Sequence, residues 1–180
     1  FRTQGWAHFH SVSYRILFSE PADSIRMFTD GKETPASVPS KIHSDKDLKY
    51  HFKFPASDKP LLVKVALSPV DPDGAVKNME SELPEWDFDA TVAQSEQVWN
   101  EALNRVSMTS SDPVVMKNFY TALYHSMIAP FAYQDVDGRY LGMDKQVHTA
   151  EAGYTNYTVF SLWDTFRALH PLMTIIDPAL

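Results

Sequence analysis

Leu61-Leu62-Val63-Lys64-Val65-Ala66-Leu67, set between Pro60 and Pro69, and the stretch that follows from Asp73-Gly74 decide how this chain reads. The first run is rich in Leu and Val and bounded by prolines, as a strand is. From Asp73-Gly74 onward Ala, Glu, Gln and Asn dominate, and apolar residues recur at helical spacing. The hydrophobic period therefore changes inside one short region. Strands are expected before it and helices after it.

Working back toward the N-terminus, Val12, Tyr14, Ile16 and Phe18 alternate with Ser11, Ser13 and Arg15, and Leu48, Tyr50, Phe52 and Phe54 alternate with Lys49, His51 and Lys53. A period of two predicts half-buried strands. Asp30-Gly31 and the Pro/Ser-rich residues 35–40 supply the turns between them. Such a pattern predicts part of a sandwich of antiparallel sheets. About four strands cannot close two sheets, so partner strands are expected upstream of Phe1.

Toward the C-terminus, a short helical turn is expected over residues 75–82. A helix over residues 88–106 follows, with Val92, Glu96, Trp99 and Leu103 on one face and Asp87 or Asp89 as cap. Asp112-Pro113 is a strong helix start, and the stripe Met116, Phe119/Tyr120, Leu123, Met127 runs on to Pro130. Asp137-Gly138 between Tyr133 and Tyr140 is a hairpin signal. A last helix is expected over residues 157–169, burying Val159, Leu162/Trp163, Phe166 and Leu169, with Pro171 interrupting the pattern. The fold class expected is α+β in two parts joined by a helical linker.

The chain has 180 residues, of which 44% are hydrophobic and 22% charged. Its net charge of −7 argues against a phosphate backbone as partner, so no nucleic acid is expected. No apolar run approaches the ~20 residues of a membrane helix, so no membrane span is expected. The absence of cysteine excludes disulfides, thiolate metal sites and cysteine nucleophiles. No signal peptide is visible at Phe1, and both ends read as interior to something longer.

Chemistry-bearing residues are sparse. His8 and His10, at i and i+2, would share a strand face and could hold a metal, but a polar strand face is the plainer reading. His125 reads as packed and hydrogen-bonded rather than as a base. Asp135, Asp137 and Asp144 resemble a calcium loop only loosely, lacking its spacing and terminal Glu, and read as a solvated loop. The most pointed feature is Trp163-Asp164-Thr165-Phe166-Arg167. Asp164 and Arg167 at i, i+3 on a helix could pair, with the Trp163 indole beside them. On the residues alone this is either a buried ion pair locking two helices, the plainer account, or a sugar subsite. In the latter, pyranose C–H groups pack on the ring while hydroxyls bond the charged groups.

At these residues the chain resembles a known family. The blocks Phe119-Tyr120-Thr121-Ala122-Leu123-Tyr124-His125, Asp135-Val136-Asp137-Gly138-Arg139-Tyr140 and Tyr157-Thr158-Val159-Phe160-Ser161-Leu162-Trp163-Asp164-Thr165-Phe166-Arg167-Ala168-Leu169-His170-Pro171 are similar to the signature blocks of glycoside hydrolase family 92. Gly5-Trp6-Ala7, residues 63–69 and Trp86-Asp87-Phe88-Asp89 extend the resemblance over essentially the whole chain. These are bacterial exo-acting α-mannosidases, notably active on α-1,2-linked mannose.

The resemblance implies an N-terminal β-sandwich joined by helices to an (α/α)6 barrel. Residues 1–72 would be the later part of the sandwich, 73–110 the linker and 111–180 the first helices of an incomplete barrel. It implies calcium dependence, inversion, mannose-containing glycans as partners alongside the rest of the parent polypeptide, and a periplasmic, secreted or cell-surface location. Calcium would bind mannose hydroxyls and help distort the ring. The family's acid, base and calcium ligands correspond to later barrel blocks, so no catalytic residue or metal ligand is assigned here, and the chain alone is expected to be inactive. Trp163, Asp164 and Arg167 match the block expected to contact mannose, and the resemblance turns the preference toward sugar contact. The competing expectation is a non-catalytic carbohydrate-binding or interaction module. It would close its own core rather than expose Phe119, Tyr120, Val159 and Phe166.

Overall fold

The computed structural model describes residues 2–3, 10–34 and 47–178. Gly5-Trp6-Ala7, His8, the side chain of His10 and residues 35–40 lie outside them. The fold is mixed, strands first and helices after. The strands β1 (Arg2–Thr3), β2 (His10–Ser11), β3 (Ser13–Phe18), β4 (Ser24–Thr29), β5 (Lys32–Thr34), β6 (Leu48–Lys53) and β7 (Val63–Ser68) precede the helices α1 (Pro72–Glu82), α2 (Phe88–Leu103) and α3 (Pro113–Ser126). A hairpin of β8 (Arg139–Leu141) and β9 (Val147–Thr149) follows, then α4 (Leu162–Thr165) and α5 (Leu169–Ile176). By its contacts the chain divides into two compact units, Ile16–Lys64 and Phe1–Arg15 with Val65–Leu180.

Within Ile16–Lys64 the sheet order is β5-β4-β6, antiparallel throughout, with Met27 opposite Thr34 on one side and Tyr50 on the other. Asp30-Gly31 forms the two-residue turn, with φ of 48° and 74°, the left-handed pair whose twist matches the strands it joins. Met27 is fully buried. The aromatic alternation of β6 has a different outcome from the one expected. The Phe18 ring packs on Phe52 at 4.9 Å and on Phe54 at 5.0 Å, yet Tyr50 and Phe52 remain exposed. The period puts the rings together, but burial also needs an opposing layer, and none of the described residues covers them.

In the other unit, β7 turns Ala66 and Ser68 inward and leaves Val65 and Leu67 exposed. Gly74 and Asn78 of α1 meet the end of β7 at Ser68 and the Leu67 carbonyl, and the helix buries Gly74, Ala75, Asn78 and Met79 at the spacing of one helical face. This helix begins earlier than the sequence predicts. Asp71 caps it by accepting the Gly74 N–H at 2.6 Å, and Pro72 takes the first position, where no intrahelical N–H bond is lost. Of the two caps the sequence allows for α2, Asp87 takes the role through Ala90 N at 2.8 Å, and Asp112 caps α3 through Val114 N at 2.8 Å as predicted. The rings of Trp99 on α2 and Tyr124 on α3 meet at 4.6 Å, and Leu123 is buried. His125 is exposed, with its ring 5.6 Å from that of Tyr124 and no side-chain hydrogen bond among the described residues, so it is not the packed, hydrogen-bonded residue expected.

The expected helix over residues 157–169 does not form. Tyr157 bridges Ala132 in antiparallel fashion, and the Thr158 N–H donates to the Phe131 carbonyl at 2.8 Å. Pairing with residues 131–132 holds Tyr157 and Thr158 in extended backbone, which a helix cannot share, and Tyr-Thr-Val favours that form. Helix appears only as the single turn α4. Pro171 then falls in the first turn of α5 instead of ending a helix, because first-turn N–H groups have no intrahelical acceptor to lose.

Candidate functional site

The α4 turn is built around Ser161. Its carbonyl accepts from Asp164 N at 3.0 Å, Thr165 N at 3.2 Å and the Thr165 hydroxyl at 3.0 Å. The same hydroxyl lies 2.9 Å from His170 Nε2. With one proton to give, it donates to Ser161 and accepts from the imidazole N–H, which ties α4 to α5. Phe160 meets the His170 ring edge-on at 5.0 Å.

This turn presents its apolar and charged groups outward. Trp163 is 85% exposed, Val159 84%, and Leu162, Asp164, Phe166 and Arg167 are exposed as well. Asp164 and Arg167 do not pair: α4 ends at Thr165, so Arg167 leaves the helical spacing that would have brought them together. The Arg167 guanidinium lies over the Phe166 ring instead, 5.3 Å from its centre. The buried ion pair between helices is therefore absent. An indole, a carboxylate and a guanidinium stand open within one short segment. They can offer a hexose a stacking face, a hydroxyl acceptor and a hydroxyl donor.

Two cavities lie nearby. One of about 580 Å³ is lined by Tyr157, Val159, Phe160, Leu162 and His170 among others. A smaller one of about 240 Å³ is lined by Trp99, Arg105, Met127 and Met173, with an ion pair between Arg105 and Asp177 on its wall. Trp163, Asp164 and Arg167 line neither.

The tightest polar assembly is one that sequence reasoning missed. Asp135 is completely buried, not part of a solvated loop. Its carboxylate accepts from the Ser68 hydroxyl at 2.8 Å and from Asn78 Nδ2 at 2.9 Å, with Arg139 Nη2 3.8 Å away. Asn78 also donates to the Leu67 carbonyl at 2.8 Å and accepts the Val136 N–H at 2.8 Å. Asp135 heads a tight turn: Asp135 N donates to Arg139 O, Gly138 N donates to Asp135 O, and Gly138 takes φ 81°. Asp137-Gly138 thus forms a tight turn ahead of β8, while the hairpin itself turns at residues 142–146, one connection later than the sequence signal. Around it, Arg139 grips Asp71 at 2.7 and 3.3 Å and Asp137 at 2.9 Å, while Lys77 reaches Asp137 at 2.7 Å.

These bonds set the local electrostatics. The Arg139 hydrogen bond, helped by the Gly74 N–H, holds the Asp71 carboxyl below its usual range. Lys77 first and Arg139 second pull Asp137 down to about 2. Arg139 is held above its ordinary value by Asp71 and Asp137. Asp144 belongs to a separate turn, where the Gln146 N–H and then His148 lower its carboxyl. The three aspartates are thus divided between two turns and engaged with protein donors. Among the described residues no group of three His, Asp or Glu side chains could share a metal ion, so a calcium site is not assembled from them.

Residues 74–180 match the glycosyl hydrolase family 92 catalytic domain. The class is that of the glycoside hydrolases. More narrowly, the chain belongs to glycosyl hydrolase family 92. It is similar to the family GH92 alpha-mannosidase BT3965 from Bacteroides thetaiotaomicron, with 35% identity and a TM-score of 0.81 over 94% of this chain and 23% of that one. A structure of that protein in complex with mannoimidazole matches with a TM-score of 0.80. The family GH92 inverting mannosidase BT2199 from Bacteroides thetaiotaomicron VPI-5482 is 25% identical, with a TM-score of 0.73 over 89% of this chain and 22% of that one. An uncharacterized secreted glycosidase of Arthroderma benhamiae is 36% identical over 74 residues, 39% of this chain and 10% of that protein. The chain thus spans less than a quarter of the proteins it matches.

Proposed function

We propose that the protein carrying this segment is an exo-α-mannosidase that releases terminal α-linked mannose, α-1,2-linked above all, from glycans. In this reading it acts with inversion and with calcium. Residues 1–72 belong to a β-sandwich, 73–110 to a helical linker and 111–180 to the first helices of an (α/α)6 barrel. Trp163 packs on the pyranose, Asp164 accepts from a hydroxyl and Arg167 donates to one. The observation that carries the reading is the indole, carboxylate and guanidinium within one short segment of the catalytic domain of a family with a solved member in complex with mannoimidazole.

Inversion requires an acid and a base roughly 6.5–9.5 Å apart, with water between the base and the sugar. Those groups and the calcium ligands are assigned to the rest of the polypeptide, so the segment alone is inactive. Calcium, held there, would supply electrostatic stabilisation of the reacting sugar. The secreted relative supports a location outside the cytoplasm, secreted, periplasmic or at the cell surface.

The test is an assay of the full-length protein on α-1,2-mannobiose, with and without chelator. Mannose release that chelation abolishes is expected. No release, or release indifferent to chelation, refutes the proposal. The alternative, a self-contained carbohydrate-binding module, is disfavoured by Val159 at 84% and Phe166 at 54% exposure, although Phe119 and Tyr120 are half-buried. Cooperative melting of the isolated chain together with tight mannose binding would favour it instead.

A further inference from the structure

The extended segment leading into the Trp163 turn is fastened to residues 131–134 at Asn156 and Thr158. Asn156 is half-buried and makes three bonds to the opposite segment: its N–H donates to Gln134 Oε1 at 2.7 Å, its Nδ2 donates to the Tyr133 carbonyl at 2.9 Å, and its carbonyl accepts the Tyr133 N–H at 2.7 Å. Two residues on, Thr158 completes the splice: its hydroxyl accepts the Phe131 N–H at 2.9 Å and its own N–H donates to the Phe131 carbonyl.

The opposite segment is itself immobilised. It ends in Asp135, whose buried carboxylate is fastened to Ser68 of β7 and Asn78 of α1. The Trp163 turn is tied to α5 on its C-terminal side by the Thr165–His170 bond, and on its N-terminal side its position is set through Thr158 and Asn156 from that anchor.

We propose that Asn156 is a positioning residue for the sugar-contact turn. It touches no substrate and acts by fixing where Trp163, Asp164 and Arg167 stand. The proposal rests on the mannoside-binding reading of those three residues. Asn156→Ala removes the Nδ2 bond, and Gln134→Ala removes the acceptor for the Asn156 N–H. Gln134→Glu keeps that acceptor.

In the full-length protein, KM for α-1,2-mannobiose and Kd for mannoimidazole are expected to rise about tenfold in both alanine variants, with kcat changed less than threefold. Gln134→Glu should stay within twofold of the parent on all three. Hydrogen exchange over residues 157–167 should quicken in the alanine variants even without ligand. A purely structural role would lower the amount of active enzyme and leave KM unchanged, which overturns the proposal. An equal rise in KM for Gln134→Glu overturns it as well. Trp163→Ala separates the two levels. If that change leaves KM and Kd untouched, the mannoside reading fails. If it raises them while Asn156→Ala does not, only the positioning role fails.

Discussion

Gly74→Ala tests the buried assembly where helix propensity and tertiary contact disagree in sign. Gly74 lies in the first turn of α1, and alanine in a helix is favoured over glycine by up to about 1 kcal/mol. A Cβ at this position would stand 2.1 Å from Asp135 Oδ2, 2.6 Å from Ser68 Oγ and 2.9 Å from Asp135 Cγ. None of these atoms can withdraw cheaply. Asp135 and Ser68 are fully buried, and Asp135 is pinned by its own turn and by Asn78. Making room breaks the Ser68–Asp135 bond, a charge-assisted contact of about 1.5–3 kcal/mol, and leaves the buried Ser68 hydroxyl proton without an acceptor at a further ~1–3 kcal/mol, although its oxygen still accepts from Val70 and Asp71 N–H. After the propensity gain, a net loss of about 3 kcal/mol is expected. In the full-length protein this lowers Tm, read by circular dichroism, by an amount per kcal/mol that shrinks as chain length grows. Combining it with Asp135→Ala should give less than the sum of the two losses, because both act on one contact. An unchanged or higher Tm for Gly74→Ala would refute the packing derived for Asp135.

Gly31→Ala isolates backbone strain: nothing lies within 4 Å of its Cβ position, but φ is 74°, so a loss of about 1 kcal/mol is expected in urea unfolding, and none if the turn relaxes. Asp71 and Asp137 have carboxyls depressed below the unfolded value of 3.8, Asp137 to about 2. Their contribution is therefore complete above the unfolded value and fades as pH falls toward about 2. Asp137→Asn should make the fall of Tm across that window shallower, and an equally steep fall would count against the network. Asp164→Ala in the full-length protein should reduce kcat/KM on α-1,2-mannobiose by at least ~2 kcal/mol in transition-state stabilisation. Activity within twofold of the parent would remove Asp164 from the sugar site.

Much of the local architecture was legible in the chain itself. Asp30-Gly31, Asp137-Gly138, the caps Asp87 and Asp112, and the α3 stripe through Leu123 are features whose causes lie within a few residues of their effects. The change of period after residue 70 announced strands first and helices second, and the block ending in Pro171 announced the family. The arrangement of the proposed sugar-contact residues was not legible. Helical spacing suggested that Asp164 and Arg167 would meet, and the helix stops before Arg167.

Sequence by itself therefore determined the turns, the caps, the order of elements and the family, all through short-range sterics and hydrogen bonding. Only tertiary structure decided that residues 157–159 run extended, that Asp135 is buried and that Gly74 cannot carry a side chain. Those outcomes depend on partners such as Ser68 and Asp135, 67 residues apart. A buried carboxylate is chosen by the donors that meet it, and nothing in its immediate neighbours along the chain announces which those will be.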